Sequence, residues 1–279
     1  MTPTTTSPAT TASPASRATG RRGGDFTNVL RAELAKLASI QSTYWALLVA
    51  FAGNIGFAVL AAALLAPRLK PADLAHVDVV QLALAGLHLS QVAFGVLGAL
   101  AITGEYGSGM IRTTFAALPR RRTVLAAKGL AFAGTALVTS TVSTVAAYLA
   151  FLAALPAHTL TGTALSDPGV TRAMLGGGLY LTVYGLLGFG LGALLRSSAA
   201  AIATLLGVLF VPPLLLDLLP GSWKTTVGPY IPMQSGSQIF VAAHREAASL
   251  APWTGFGVFS LYAAAALLAG FLMINRRDA

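Results

Sequence analysis

The 279 residues contain no cysteine, which excludes disulfides, zinc–thiolate sites and iron–sulfur clusters. Charge is nearly as scarce. Asp, Glu, Lys and Arg make up 10% of the chain, where soluble domains carry about 25%. Several catalytic signatures are missing as well. No G-x-x-x-x-G-K-[ST] sequence is present to cradle phosphates, no H-E-x-x-H to hold zinc, and no G-x-S-x-G to raise a nucleophilic serine. The four histidines, His76, His88, His158 and His244, share no ligand spacing. Residues 1–24 lack an apolar run and are rich in Thr, Ser, Pro and Ala, so a disordered tail is expected there rather than a signal peptide.

What remains is apolar. Hydrophobic residues make up 55% of the sequence and the mean hydropathy is +0.73. Charges cluster, leaving charge-free windows at 37–67, 79–104, 129–166, 173–195, 197–216 and 247–275. About 20 apolar residues cross a bilayer as a helix. The windows therefore predict an all-α polytopic membrane protein with six spans, near 43–66, 79–103, 129–155, 172–195, 198–219 and 253–274. The domain plan is a tail (1–24), an amphipathic helix in the membrane interface (25–41) and a six-span domain (42–279).

The formal charge of +9 is a topology signal. With both termini in the cytoplasm, the inside segments hold 13 Lys and Arg against 5 outside, as the positive-inside rule requires. No single basic domain is present, so no nucleic-acid partner is expected. The lipid bilayer is the expected surrounding.

Before the first span, Phe26, Leu30, Leu34 and Leu37 share a helical face, with Asp25 as N-cap. Tyr44 and Trp45 mark a headgroup boundary. Span four carries Gly185, Gly188, Gly190 and Gly192, which suit close helix packing within the chain or between subunits. Span five ends among Pro212, Pro213 and Pro220, which limit helix continuity. The segment 220–252 reads equally as a re-entrant element or as an ordinary outer loop.

The connector at 104–128 is the most informative stretch. Glu105 closes span two, either marking the span's end, or pairing with a nearby arginine, or tying span two to a moving loop. Gly107 and Gly109 break the helix. A short amphipathic helix is expected from Met110 to Leu118, with Ile111 and Phe115 on its apolar face and Arg112 off it, and Pro119 stops it. Arg120, Arg121 and Arg122 follow, then Lys128 at the mouth of span three. An arginine triplet by itself serves equally as a positive-inside anchor.

Two stretches together resemble a known family. R-x-E-x-x-K (Arg31, Glu33, Lys36) precedes span one. E-Y-x-S-G-x-x-R (Glu105, Tyr106, Ser108, Gly109, Arg112), followed by Pro119, Arg121 and Lys128, joins spans two and three. With the six-span layout they resemble the permease subunits of bacterial type-2 ATP-binding-cassette (ABC) exporters, over residues 26–275. The basic triplet and the tail depart from that pattern. The resemblance implies a permease in the plasma membrane, exporting a hydrophobic or amphiphilic compound. It implies that the chain itself is not an enzyme and holds no cofactor, with ATP and Mg on a separate cytoplasmic ATP-binding subunit. That partner would dock on Ile111, Arg112, Phe115, Pro119, Arg120, Arg121 and Lys128, with Glu105 transmitting the movement. A second permease copy or paralogue would complete the pathway as a dimer. The residues leave two other readings open: a secondary transporter using His88 and Asp217, and a structural or sensory membrane protein.

Overall fold

The computed structural model describes residues 22–39, 41–64, 78–107, 109, 121–155, 164–242 and 248–273. Among them no strand occurs. The chain order is α1 (Arg22–Ser39), α2 (Gln41–Leu64), α3 (Val79–Ala83), α4 (Leu87–Gly107), α5 (Arg121–Ala154), α6 (Val170–Leu195), α7 (Ser198–Leu218), α8 (Gly221–Thr226), α9 (Pro232–Ser237) and α10 (Pro252–Met273), with 3₁₀ turns at Gly228–Tyr230 and Gln238–Phe240. Six of these helices, α2, α4, α5, α6, α7 and α10, are long and apolar enough to cross a membrane.

Their boundaries differ instructively from the charge-free windows. Span two is split, because Asp78 caps the short α3 by accepting from Gln81 N at 3.0 Å, and a turn at 84–86 precedes α4. The helix of span three begins at Arg121 rather than 129, since a polar first turn ends a lipid span without ending a helix. α1 begins at Arg22, so Asp25 lies inside its first turn instead of capping it. α7 runs through Pro212 and Pro213 without a break; in a bilayer a helix tolerates proline when neighbouring groups and local adjustment absorb the lost bonds.

α6 is the central helix, packing on α4, α5 and α10. Its glycines permit this. Gly185 lies against Phe132 and the Phe94 carbonyl, Gly188 against Gly95 O, Gly190 against Ala266, and Gly192 against Ile102 and Ala99 O. All four therefore serve packing within the chain. Polar side chains stitch the same helices. Asn54 Nδ2 donates to Ser143 Oγ at 3.1 Å and to Ser143 O at 3.3 Å, joining α2 to α5. Ser140 Oγ donates to Gly178 O at 2.8 Å, joining α5 to α6. Such bonds are worth about 0.6 kcal/mol each between membrane helices.

α4 stops and α5 starts at one end of the bundle, here the connector end. At the opposite end the segment 228–242 turns inward. Ile239 and Phe240 are wholly buried, and Phe240 meets Tyr180 with ring centroids 5.1 Å apart. Tyr180 sits ten residues into α6, about 15 Å along it at the helical rise. The segment 228–242 thus packs into the bundle beside α6, whereas α8 remains on the surface with no buried residue. Two charged side chains fasten the return. Arg172 donates to Ile239 O at 3.2 Å and Val241 O at 2.9 Å, while Asp78 Oδ2 accepts from Ala242 N at 2.7 Å. Hydrogen bonds to a charged group contribute about 1.5–3 kcal/mol. Arg172→Ala is therefore expected to speed amide exchange across 236–242 by tenfold or more, with Arg172→Lys intermediate. Unchanged protection by hydrogen-exchange mass spectrometry would show that apolar burial alone holds the segment.

Candidate functional site at the connector root

The connector leaves the bundle at Gly107 and re-enters it at Arg121. Both roots are bound into one buried charge cluster. Glu33 and Lys36 stand one turn apart on α1, close enough to act from a single face. Glu105 sits in the last turn of α4, and Lys128 two turns into α5. Lys128 Nζ lies 2.5 Å from Glu33 Oε2 and 2.9 Å from Glu105 Oε1. Lys36 pairs with the same Glu105 oxygen. Glu33, Glu105 and Lys128 expose only 6%, 6% and 5% of their surfaces, so the two Lys128 pairs are largely shielded from water, whereas the Lys36 side chain is 29% exposed.

Two carboxylates and two ammonium groups balance to zero charge. That balance makes burial tolerable, because an isolated ion would incur several kcal/mol of desolvation. The cluster also fixes relative position. Glu105 Oε1 accepts from lysines on two different helices, so α1, α4 and α5 cannot shift independently without breaking a desolvated ion pair. Its chemical capacity is mechanical.

The sequence-predicted residues fare unevenly. Ile111, Arg112, Phe115, Pro119 and Arg120 lie outside the described residues, and Arg121 is the first residue of α5. Lys128 and Glu105 are brought together. Glu105 meets Lys36 and Lys128. On α1, Phe26 and Leu30 are half-buried and Leu37 packs against the core, but Leu34 is 41% exposed. α1 therefore turns Glu33 inward onto Lys128 and leaves Leu34 outward. Glu33 and Lys36 were visible only as motif letters. Their opposite charge at i, i+3 was the available signal, and it pointed equally to a pair within α1.

The residues that favoured a secondary transporter are otherwise engaged. His88 Nδ1 lies 3.3 Å from Ala85 O, and its ring meets Phe240 edge-on. Asp217 pairs with Lys224 at 3.0 Å on the exposed surface. A groove of about 360 Å³ lies between α2, α4 and α5, lined by Leu47, Phe51, Phe94, Val138 and Val142 among others. Of its three hydroxyl-bearing residues, Thr139 bonds to Thr135 O at 2.8 Å and Ser143 is engaged by Asn54, while Tyr44 lies at the rim with its ring edge-on to Trp45.

No family model matches the chain, and no curated protein is significantly similar to it.

Proposed function

We propose that this chain is the membrane permease subunit of an ABC exporter, driven by a separate cytoplasmic ATPase that docks on the 104–128 connector. The observation that carries this reading is the buried Glu33–Lys36–Glu105–Lys128 cluster. A connector that merely joined two spans would need no such lock at both of its roots. A connector that receives force does, because a push on 108–120 is useful only if its ends pass the movement to the bundle. α4 and α5 are continuous from those roots into the bundle, and α5, with 34 residues, extends about 50 Å.

In this account both termini are cytoplasmic, by the positive-inside asymmetry, and α1 lies at the cytoplasmic membrane interface. The chain supplies half of a pathway, completed by a second copy or a paralogue in the plasma membrane. ATP and Mg are bound by the partner subunit. The cargo is apolar or amphiphilic, in keeping with a groove lined chiefly by apolar side chains. Purified chain in proteoliposomes is expected to move no amphiphile on its own and to do so once the ATPase and MgATP are supplied. Transport by the chain alone, driven by an ion gradient, would replace this reading with a secondary transporter.

A further inference from the structure

Among the described residues, Arg196 is the only non-glycine with positive φ, at φ 56° and ψ 13°. It forms the left-handed C-cap of α6, its N–H bonding to Gly192 O at 2.9 Å. Glycine adopts that conformation freely and is the usual residue at such a cap. A side chain there is strained, and strain of this kind persists where the surroundings hold the residue in place. The side chain explains the choice. Its guanidinium stands 5.3 Å from the centroid of the Tyr106 ring, and it donates a long hydrogen bond of 3.5 Å to Met273 O at the end of α10. Two residues further on, Ser198 Oγ donates to Thr103 Oγ1 at 2.8 Å. The α6–α7 turn therefore grips the last turns of α4 at two points, on Thr103 and on Tyr106.

Glu105 lies between those two positions and is held by the lysines of α1 and α5. Neighbouring residues at the root of the connector thus face two different sets of helices. We propose that Glu105–Tyr106 is a branch point, and that Arg196 is the positioning residue tying the connector root to the second half of the bundle, α6, α7 and α10. A movement of the loop reaches α1 and α5 through Glu105, and Tyr106 and Arg196 pass it to the end of α6, to α7 and to α10, beside the direct packing of α4 on α6. A charge kept merely for topology would need neither the ring nor the left-handed backbone. The clamp itself stands on these contacts, and its use in coupling rests on the permease reading.

Arg196→Gly separates the side chain from the backbone, because glycine relaxes the cap while removing the grip. The cysteine-free chain allows paired spin labels at Gly104→Cys, where a Cβ meets nothing within 4 Å, and at Leu272→Cys, which is 59% exposed. In lipid nanodiscs the full chain is expected to give one narrow 104–272 distance distribution. Arg196→Gly should at least double its width with the melting temperature equal or higher. Tyr106→Leu should match it, the double variant should add nothing, and Arg196→Lys should fall between. A wild-type width in Arg196→Gly, or widening only alongside a lower melting temperature, would overturn the clamp. With the ATPase bound, Arg196→Gly should lower transport per ATP hydrolysed at least fivefold while ATPase binding is retained. Unchanged transport per ATP would overturn the coupling role. Failure of any ATPase to bind the wild-type chain would instead remove the permease reading, and the distance measurement would still decide the clamp.

Discussion

Lys128→Met is expected to lower stability by about 3–5 kcal/mol, the cost of removing one partner from a buried ion pair. Glu33 loses its partner at 2.5 Å, and Glu105 loses one of its two lysines while keeping Lys36. Methionine fills the space of the lysine stem, so the loss reads charge rather than volume. In thermal melts of detergent-solubilised protein the midpoint should fall by on the order of 10 °C. The double variant Lys128→Met/Glu33→Gln should recover more than half of that loss, since the orphaned carboxylate is then neutral. Lys224→Met provides the contrast. Its pair with Asp217 is exposed on both sides, and its loss should stay within about 0.5 kcal/mol. Equal losses at 128 and 224 would mean that the cluster is hydrated, and the mechanical account would lose its basis.

Gly98→Ala and Gly188→Ala are expected to be nearly as damaging. A Cβ at 98 would stand 1.9 Å from Gly185 O, and one at 188 would stand 2.0 Å from Gly95 O. Both obstacles are backbone, so no rotamer change relieves them and α4 must move away from α6. Overpacking costs about 1–3 kcal/mol where side chains yield, and a backbone collision belongs at or above the top of that range. The same substitution reverses sign elsewhere. Gly53 and Gly104 lie in helices with nothing within 4 Å of an added Cβ, so alanine there should stabilise by about 0.5–1 kcal/mol. Melting midpoints of the four single variants test this directly. Destabilisation at 53 as large as at 98 would indicate that α2 packs against another molecule in the membrane.

The six long helices were legible in the sequence because the absence of charge is itself the physical condition for a lipid span. The far end was harder. Residues 228–242 form short helical turns with no run long enough to show a period, and they are bonded by Arg172 and Asp78, distant in sequence. At α1, hydrophobic periodicity placed Leu34 with Leu30 and Leu37, yet tertiary contact turned Glu33 inward. Glu105 and Lys128 stood out as lone charges at the ends of spans. Nothing local revealed that Glu33 and Lys36 complete the cluster, since a buried ion pair is defined by the helices that bring its members together. Arg196 was legible only as a basic residue between two spans; its left-handed backbone has no sequence signal when glycine is absent.

The central claim is that a separate ATPase acts on the connector. Affinity purification of the tagged, detergent-solubilised chain from its native membrane, wild type beside Arg112→Glu/Arg121→Glu, tests it most directly. A soluble ATP-hydrolysing subunit should co-purify in stoichiometric amount with the wild type and be lost from the charge-reversed variant, with both chains equally folded. Recovery of the folded wild-type chain alone, with no ATPase activity in the eluate, would contradict the account and return attention to His88 and Asp217.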